Sequence, residues 1–395
     1  MVSSYDLNYK WHMEKMEKPS QDFQEKIKPF RDEIDRIDAD ILSLLVRRQA
    51  QVEKVVALKK ACHIQVYHPA REEDLISRLR RKSEQTGLDP DFMEDLYRVI
   101  LRQSRVKQTR QMEHGTIRPG AKILIIGGEG QMGSLFARLF RKSQYEVRIL
   151  GESDWDRAPE LCRDIDLALV SVPIEKTGAI IEQISPFLPP RTVLADLTSI
   201  KQEPVEQMLA AHRGPVLGIH PLFGPSSGSL DKQTIVVTPA RDNEACTWLT
   251  DQLGLWGAVV VESTPREHDE IMALVQALRH FATFSFGQFL FHKKTDLQRT
   301  LEFSSPIYRL ELGMVGRLFA QDPGLYAEII FATPERRSLL KEFVSSMSQH
   351  LDMLEKNDKA LFMDRFRDIA QWFGPFSGQA MRESTFLIDK LIERF

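Results

Sequence analysis

The sequence predicts three segments in series: an all-α segment, an α/β segment built on a parallel sheet, and a second all-α segment. Three observations carry this. Between Phe30 and His68 there is neither Gly nor Pro, and Ile34, Ile37, Ile41, Leu44, Leu45, Val52, Val55 and Leu58 recur close to a helical period. Beyond residue 120 the rhythm changes, and the apolar runs "KILIIG", "EVRIL", "LALVSVP", "TVLADL", "PVLGI" and "TIVVT" alternate with helix-like stretches, as βαβ units do. From about Arg266 the pattern is helical again, long and rich in Phe, Leu and Met.

Taken in chain order, residues 1–28 are polar and charged and form an N-terminal extension, frayed or partly helical. Pro29 stands just ahead of the first long helix and Pro69 just after it, so the two prolines are expected to bound it. "AREEDLISRLRRKSEQ" predicts a second helix, separated by Gly87 and Pro90 from a third, "DFMEDLYRVILRQSRVKQ". Residues 29–112 then make one helical domain and "EHGTIRPG" (113–120) a linker. The α/β domain covers 121–265, its last strand, "GAVVVES", ending near Ser263, and 266–395 make the second helical domain.

Composition narrows the function classes. The 53 basic and 56 acidic side chains give a net charge of −3, no electrostatic footprint for nucleic acid or an anionic membrane. No apolar run approaches the ~20 residues of a membrane span, and nothing resembles a signal peptide, so a cytoplasmic protein is expected. Cys62, Cys162 and Cys246 are scattered without a CxxC pair, which argues against a disulfide framework or a zinc site, and no metal is expected.

The stretch "LIIGGEGQMGSLFARLF" meets the pattern G-x-G-x-x-G with Gly128, Gly130 and Gly133, directly after an apolar strand and at the start of a helix. Gly128 is expected to permit the tight turn, Gly130 to let the backbone approach a pyrophosphate, and Gly133 to pack helix on strand. Gln131 and Met132 share the loop, and the helix N-terminus attracts the negative charge. This is the opening of a Rossmann-type dinucleotide-binding domain. An acid that grips the ribose hydroxyls belongs ~20 residues beyond the loop. "LGESDWD" offers Glu152 and Asp154 there. NAD is the expected cofactor, with NADP as the alternative.

In "GPVLGIHPLFGPSSGS" a strand is expected to end at Ile219, with His220 in the loop that follows. Ligands of open α/β sheets sit outside the carboxyl ends of strands, so this histidine is placed to face a nicotinamide and take a proton from a hydroxyl being oxidised. "ADLTSIKQEP" puts Ser199 and Lys201 after another strand end, a hydroxyl and a cation near the same mouth. Arg309 and Arg317 are eight residues apart, which at ~100° per residue brings them to nearly the same helix face, a pairing suited to carboxylates.

The first segment carries its own set of cations. Arg48 and Lys59 lie eleven residues apart, only ~20° off one face. Arg31 precedes Arg48 by seventeen residues, ~25 Å along the axis, too far for both to hold one small substrate. A functional Arg31 therefore serves a partner subunit. Arg71 and Glu72 open the second helix, and Ser104 and Gln108 form an i, i+4 pair in the third.

Longer strings extend these readings. "GGEGQMG", "HPLFGPSSGS", "EHD", "QALRHFATF" and "SSPIYRLELGMVGRLFAQDP" resemble the prephenate dehydrogenase part of bifunctional chorismate mutase/prephenate dehydrogenases, across roughly residues 121 to 375. "RDEIDRIDADILSLLVRRQ", Lys59, "REEDL" and "SRVKQ" resemble the all-helical chorismate mutase module at its spacing over residues 31 to 108. The resemblance implies rearrangement of chorismate to prephenate, then NAD-dependent oxidative decarboxylation of prephenate to 4-hydroxyphenylpyruvate. By that resemblance His220 bonds the ring hydroxyl, Ser199 orients it and Lys201 lies close by. Arg317, with Arg309, would hold a substrate carboxylate, and His268 and His280 would line or regulate the site. The same resemblance implies that Arg31, Arg48 and Arg71 bind chorismate, that Lys59 and Gln108 stabilise its ether oxygen, and that Glu72 and Ser104 contact hydroxyl or carboxylate groups. Because relatives can carry an acid at the position of Gly151, the ribose contact is expected to move to Glu152. It further implies an intertwined homodimer, an all-α dimerisation domain after the sheet, and tyrosine as feedback inhibitor. Two rivals stand beside it: an arogenate-preferring or dual-specificity dehydrogenase, and a ligand-sensing regulator whose first helices only dimerise.

Overall fold

The computed structural model describes residues 21–61, 69–112, 114–227 and 229–392. The first part of the N-terminal extension, the expected end of the first helix around His68, Cys62 and the start of the linker lie outside these. The chain divides into two units after Met112.

The first unit consists of α1 (Gln21–Ala61), α2 (Pro69–Thr86) and α3 (Pro90–Met112), with α3 packed on both α1 and α2. Pro29 does not bound the first helix but lies inside it. A proline removes one i→i−4 hydrogen bond and crowds one carbonyl, and the turns on either side continue through it. The periodic apolar residues of α1 are not buried by their own unit: Ile34, Ile37, Ile41 and Leu44 are at least half exposed. Their spacing makes one apolar stripe along a helix of 41 residues, ~60 Å long.

The second unit holds a seven-stranded sheet of order β2-β1-β3-β4-β5-β6-β7. The strands are β1 (Lys122–Ile126), β2 (Glu146–Leu150), β3 (Leu167–Val170), β4 (Val193–Asp196), β5 (Val216–Pro221), β6 (Thr234–Arg241) and β7 (Val259–Glu262). The first five are parallel, as expected. "TIVVT" and "GAVVVES" are not: β6 runs antiparallel to β5, and β7 follows β6 in parallel. The connection over 222–233 holds no helix among its described residues, and without a crossover element the chain returns beside β5 in the opposite direction.

Strand alternation explains the layers. Ile123 and Ile125 face one core with Phe136 and Phe140 of α4 (Gln131–Lys142) and Trp248 and Leu253 of α8 (Asn243–Leu255). Leu124 and Ile126 face the other core, with α5 (Ala158–Leu161), α6 (Ile174–Ile184) and α7 (Gln202–Ala211). The sheet is thus covered on both faces and its strands are near-continuous apolar runs.

Beyond β7 come α9 (Pro265–Met272), a π-helical turn (Ala273–Leu278), α10 (Arg279–His292), α11 (Leu297–Glu302), α12 (Pro306–Phe319), α13 (Pro323–Phe331), α14 (Pro334–Glu355), α15 (Lys359–Phe373) and α16 (Pro375–Ile392). Four of these open on the same signal. Thr264, Ser305, Asp322 and Thr333 each accept a hydrogen bond from a first-turn N–H, and proline follows, where its missing N–H costs nothing.

Gly127 and Gly87 have similar positive φ, +76° and +75°, but open space surrounds Gly87, whereas a Cβ at Gly127 would press into the Ser171 carbonyl. Gly87→Ala is expected to cost about 1 kcal/mol and Gly127→Ala roughly 2–4 kcal/mol. Urea denaturation of the two full-length variants checks the difference.

Candidate active sites

The loop between β1 and α4 is shaped by one more glycine than the motif counted. The tight turn belongs to Gly127, which carries the positive φ, and not to Gly128. Gly128 instead lets β2 approach, since a Cβ there would lie 2.9 Å from Ile149 Cγ2. Gly133 packs against the loop rather than the strand: its Cβ would come to 2.5 Å from the Gly127 carbonyl oxygen. Gly130 is the N-cap of α4 and supplies no side-chain cap, so first-turn N–H groups are left for an anionic ligand. Bare backbone at a helix N-terminus fits a dinucleotide pyrophosphate.

At the tip of β2, Glu152 turns away. Its side chain is 94% exposed and stands 3.7 Å from Lys176. Asp154 bends back, its carboxylate accepting from the Gly151 N–H at 3.2 Å. A Cβ on Gly151 would lie 3.1 Å from that carboxylate and 3.4 Å from the carboxylate of Glu129. Glu129, an unspecified position of the glycine pattern, was not singled out by sequence because its proximity to β2 exists only in the fold.

From this loop a cavity of about 530 Å³ runs past Ser171–Ile174 and Leu197–Ser199 to His220, then to Gln276, Arg279, His280 and Tyr326. His220 is not a loop residue: it lies within β5, 3% exposed, paired with Val236. Its Nδ1 is 2.8 Å from His268 Nε2, and His268 Nδ1 is 2.7 Å from Asp269 Oδ1. The Asp269 carboxylate also accepts from the N–H groups of Lys201 and Gln202. Burial by itself would raise the Asp269 carboxyl, but these hydrogen bonds hold it below its ordinary value. A carboxylate on His268 Nδ1 leaves the Nε2 lone pair to accept from His220 Nδ1–H, so His220 Nε2 keeps a lone pair toward the cavity. Burial, then the neighbouring His268, Lys201 and Arg336, hold His220 well below its ordinary value, in the neutral form. Ser199 Oγ is buried there without a partner.

Lys201 is close to His220 but does not reach the mouth. Its side chain is fully buried, ion-paired with Asp196, and donates to the Ile219 carbonyl at 3.0 Å. Burial pushes its ammonium below the usual range against the pull of Asp196. It fixes the strand that carries His220. Arg336, which the sequence reading missed, does similar work: 1% exposed, it donates to the carbonyls of Ile329 and Ser199. The expected arginine pair is set back from the cavity. Arg309 donates to the Leu301 carbonyl, and the exposed Arg317 lies one turn before Gln321, which does line the cavity. Arg279, also missed, lines the cavity itself. His268 is buried behind His220, while His280 lines the cavity, edge-on to Tyr326.

In the first unit, Arg48 Nη1 donates to Ser104 Oγ at 2.7 Å, joining α1 to α3. Lys59 is half-buried; burial and Arg71 lower its ammonium and Glu72 opposes them, which brings all three into one electrostatic neighbourhood. Both Glu72 oxygens accept from Arg105 at 2.7 Å, a pair only 14% and 10% exposed. Arg105 had no sequence signal beyond its place next to Ser104. Gln108 is partly buried on α3. Arg31 is exposed, hydrogen-bonded to Gln24 on its own helix, and is not brought to the others.

Burial and Arg279 bring His280 down to about 4 from an ordinary 6.5. Above 6.5 neither folded nor unfolded chain binds this proton; as pH falls toward 4 the unfolded chain takes it first, so stability falls with pH. Thermal melts from pH 7 to 4.5 are expected to show a loss on the order of 1–3 kcal/mol that His280→Asn reduces.

Comparison with known proteins follows the same division. Residues 30–109 match the family "Chorismate mutase type II", residues 141–262 "Prephenate dehydrogenase, nucleotide-binding domain", and residues 264–368 "Prephenate dehydrogenase, dimerization domain". A T-protein of Enterobacter agglomerans is 42% identical over 91% of this chain and 96% of its own length. A T-protein of Haemophilus influenzae is 39% identical over 93% and 98%. Among solved structures, the prephenate dehydrogenase of Aquifex aeolicus with hydroxyphenyl propionate and NAD+ is similar in fold, with a TM-score of 0.52 at 19% identity over 67% of this chain and 99% of that one. With a mutase module and a dehydrogenase in one polypeptide, and 39–42% identity to two of its members over more than nine tenths of its length, the chain belongs to the T-protein family.

Proposed function

We propose that the chain is a bifunctional enzyme of tyrosine biosynthesis: the first unit rearranges chorismate to prephenate, and the second converts prephenate with NAD to 4-hydroxyphenylpyruvate, CO2 and NADH. The observation that carries the second half is one continuous cavity lined by Gly130–Met132 at one end and by His220 with the unpartnered Ser199 hydroxyl at the other.

NAD, when bound, supplies the hydride acceptor. Gly128, Gly130, Gln131, Met132 and Gly133 form the bed for its phosphates. Asp154 and Glu129, rather than the outward-facing Glu152, meet the ribose, and carboxylates there favour a free 2′-hydroxyl over a phosphate. His220 Nε2 draws off the substrate's hydroxyl proton while Ser199 orients the hydroxyl. His268 and Asp269 keep the required tautomer, and Lys201 holds the strand beneath. Arg279 meets a substrate carboxylate from the cavity wall, with Arg317 at the rim and Arg309 bracing the segment at Leu301. Loss of CO2 makes the ring aromatic, so the residues need only orient the substrate and take a proton.

In the first unit the reaction is pericyclic and needs no nucleophile. Arg48 and Arg71 hold carboxylates, Lys59 and Gln108 face the ether oxygen as charge develops, and Ser104 and Glu72 keep Arg48 and Arg105 in place. Arg31 completes the pocket of a second copy. The exposed apolar stripe of α1 and the match to a dimerization domain support a homodimer. Tyrosine acts as feedback inhibitor, and the enzyme works in the cytoplasm.

Chorismate loss and NADH formation followed in one cuvette test the whole reading; a chain forming NADH from arogenate but not prephenate would overturn its substrate. His220→Asn should lower dehydrogenase kcat by ~10²–10⁴ with KM changed less than about threefold, and unchanged kcat would remove His220 from the chemistry. Arg31→Ala and Arg48→Ala should each abolish mutase turnover. Co-refolded together they should regain up to about a quarter of it, because each mixed dimer then holds one intact site.

A further inference from the structure

The dehydrogenase site contains a polar group that the proposed chemistry leaves unused. Gln276 sits in the π-helical turn Ala273–Leu278, between α9 and α10. Such turns insert an extra residue into the helical register and recur at functional sites. This one points the amide into the cavity, with Nε2 3.2 Å from His220 Nε2. The other amide atom, Oε1, is buried and has no hydrogen-bond partner.

The hydrogen-bond chain from Asp269 through His268 leaves His220 Nε2 as an acceptor, so the Gln276 amide donates to it. That lone pair is the one a substrate hydroxyl must reach. Amide donor and substrate hydroxyl therefore compete for one atom, and the displaced amide stays within the same few ångströms. Ser199 Oγ, another buried polar atom without a partner, belongs to a residue that lines the same cavity. Where such atoms belong to the lining of a cavity, a bound ligand can supply the missing partner.

We propose that Gln276 is a substrate-contacting residue: its amide occupies the His220 Nε2 lone pair in the free enzyme and passes to the substrate's hydroxyl oxygen when that hydroxyl takes its place. This rests on the dehydrogenase reading above and deepens it. As the hydroxyl proton moves to His220, the oxygen becomes a carbonyl, and donors from Gln276 and Ser199 match the acceptor it turns into. A ligand without the hydroxyl leaves the amide on His220 and gains nothing from it. Gln276 thus makes the site count the hydroxyl.

The test has two readouts. Calorimetry in the presence of NAD compares 3-(4-hydroxyphenyl)propionate with 3-phenylpropionate. The wild-type chain is expected to prefer the hydroxylated probe by about tenfold, and Gln276→Leu to shrink that ratio at least threefold. The pH dependence of kcat/KM for prephenate is the second. His220 is faced by His268 from α9, with Asp269 behind it, by Lys201 ahead of α7 and by Arg336 from α14, and none of these changes in the variant. Removing a donor from the lone pair makes Nε2 easier to protonate, so the acid limb should move to higher pH in Gln276→Leu and further in Gln276→Glu. Gln276→Asn, too short to span the distance, should follow Leu and stands in if that variant does not fold. A Leu or Asn variant with wild-type probe ratio and wild-type acid limb overturns the proposal. A wild-type chain that neither oxidises prephenate nor binds either probe removes the underlying reading, and this one with it.

Discussion

One carboxylate, that of Asp269, ties the chemistry to the architecture. It accepts from the N–H groups of Lys201 and Gln202, where α7 begins without a side-chain cap of its own, and from His268, which in turn meets His220. The cap of a sheet-covering helix is thus supplied from the helical segment beyond the sheet, and the same atoms set a histidine tautomer. Capping satisfies orphan helix donors, while the fixed proton on His268 leaves a lone pair on the far side of His220. Position and protonation of the base follow from one group.

Beneath it lies a buried ion pair whose role is mechanical. Lys201 and Asp196 are both fully buried, and burying two charges brings little net stability even when they are well paired. What the pair supplies is order: Asp196 also accepts from the Thr198 N–H at 3.0 Å, and Lys201 grips the Ile219 carbonyl next to His220. Arg336 does the corresponding work on Ser199 from α14. The polar side chains around His220 therefore hold one another, and of the buried atoms left without a partner, Ser199 Oγ and Gln276 Oε1 belong to residues that line the cavity.

The two units meet the same physical problem, fixed charge near a small dianion, with different means. The first places cations on three helices and leaves a long apolar stripe exposed on α1. Arg31 stands apart from the other cations of that unit, bonded to Gln24 on its own helix. The second unit sets His220 and Ser199 at the ends of sheet strands and brings Gln276 and Arg279 to them from the helical segment that follows. Cys162 and Cys246 take no part: burial pushes their thiols to about 11 and about 12, leaving them inert.

Much of this was legible in the sequence, and for physical reasons. Helical and strand periods, the glycine loop and the Thr-Pro, Ser-Pro and Asp-Pro helix starts are local, written within a few residues of where they act. So the succession of all-α, α/β and all-α segments, the loop at β1 and the place of His220 at the carboxyl end of a strand could be read directly. Contacts between distant segments could not. The reversal of β6, the move of the turn from Gly128 to Gly127, the helix running through Pro29, the burial of Lys201 and the turning away of Glu152 each depend on what a neighbouring strand or helix presents. Glu129, Arg105, Gln276 and Arg336 stayed hidden for the same reason, and Arg279 because only the fold sets it on the cavity wall: a partner can lie tens to more than a hundred residues away, and only the tertiary structure decides which lone pair a side chain faces.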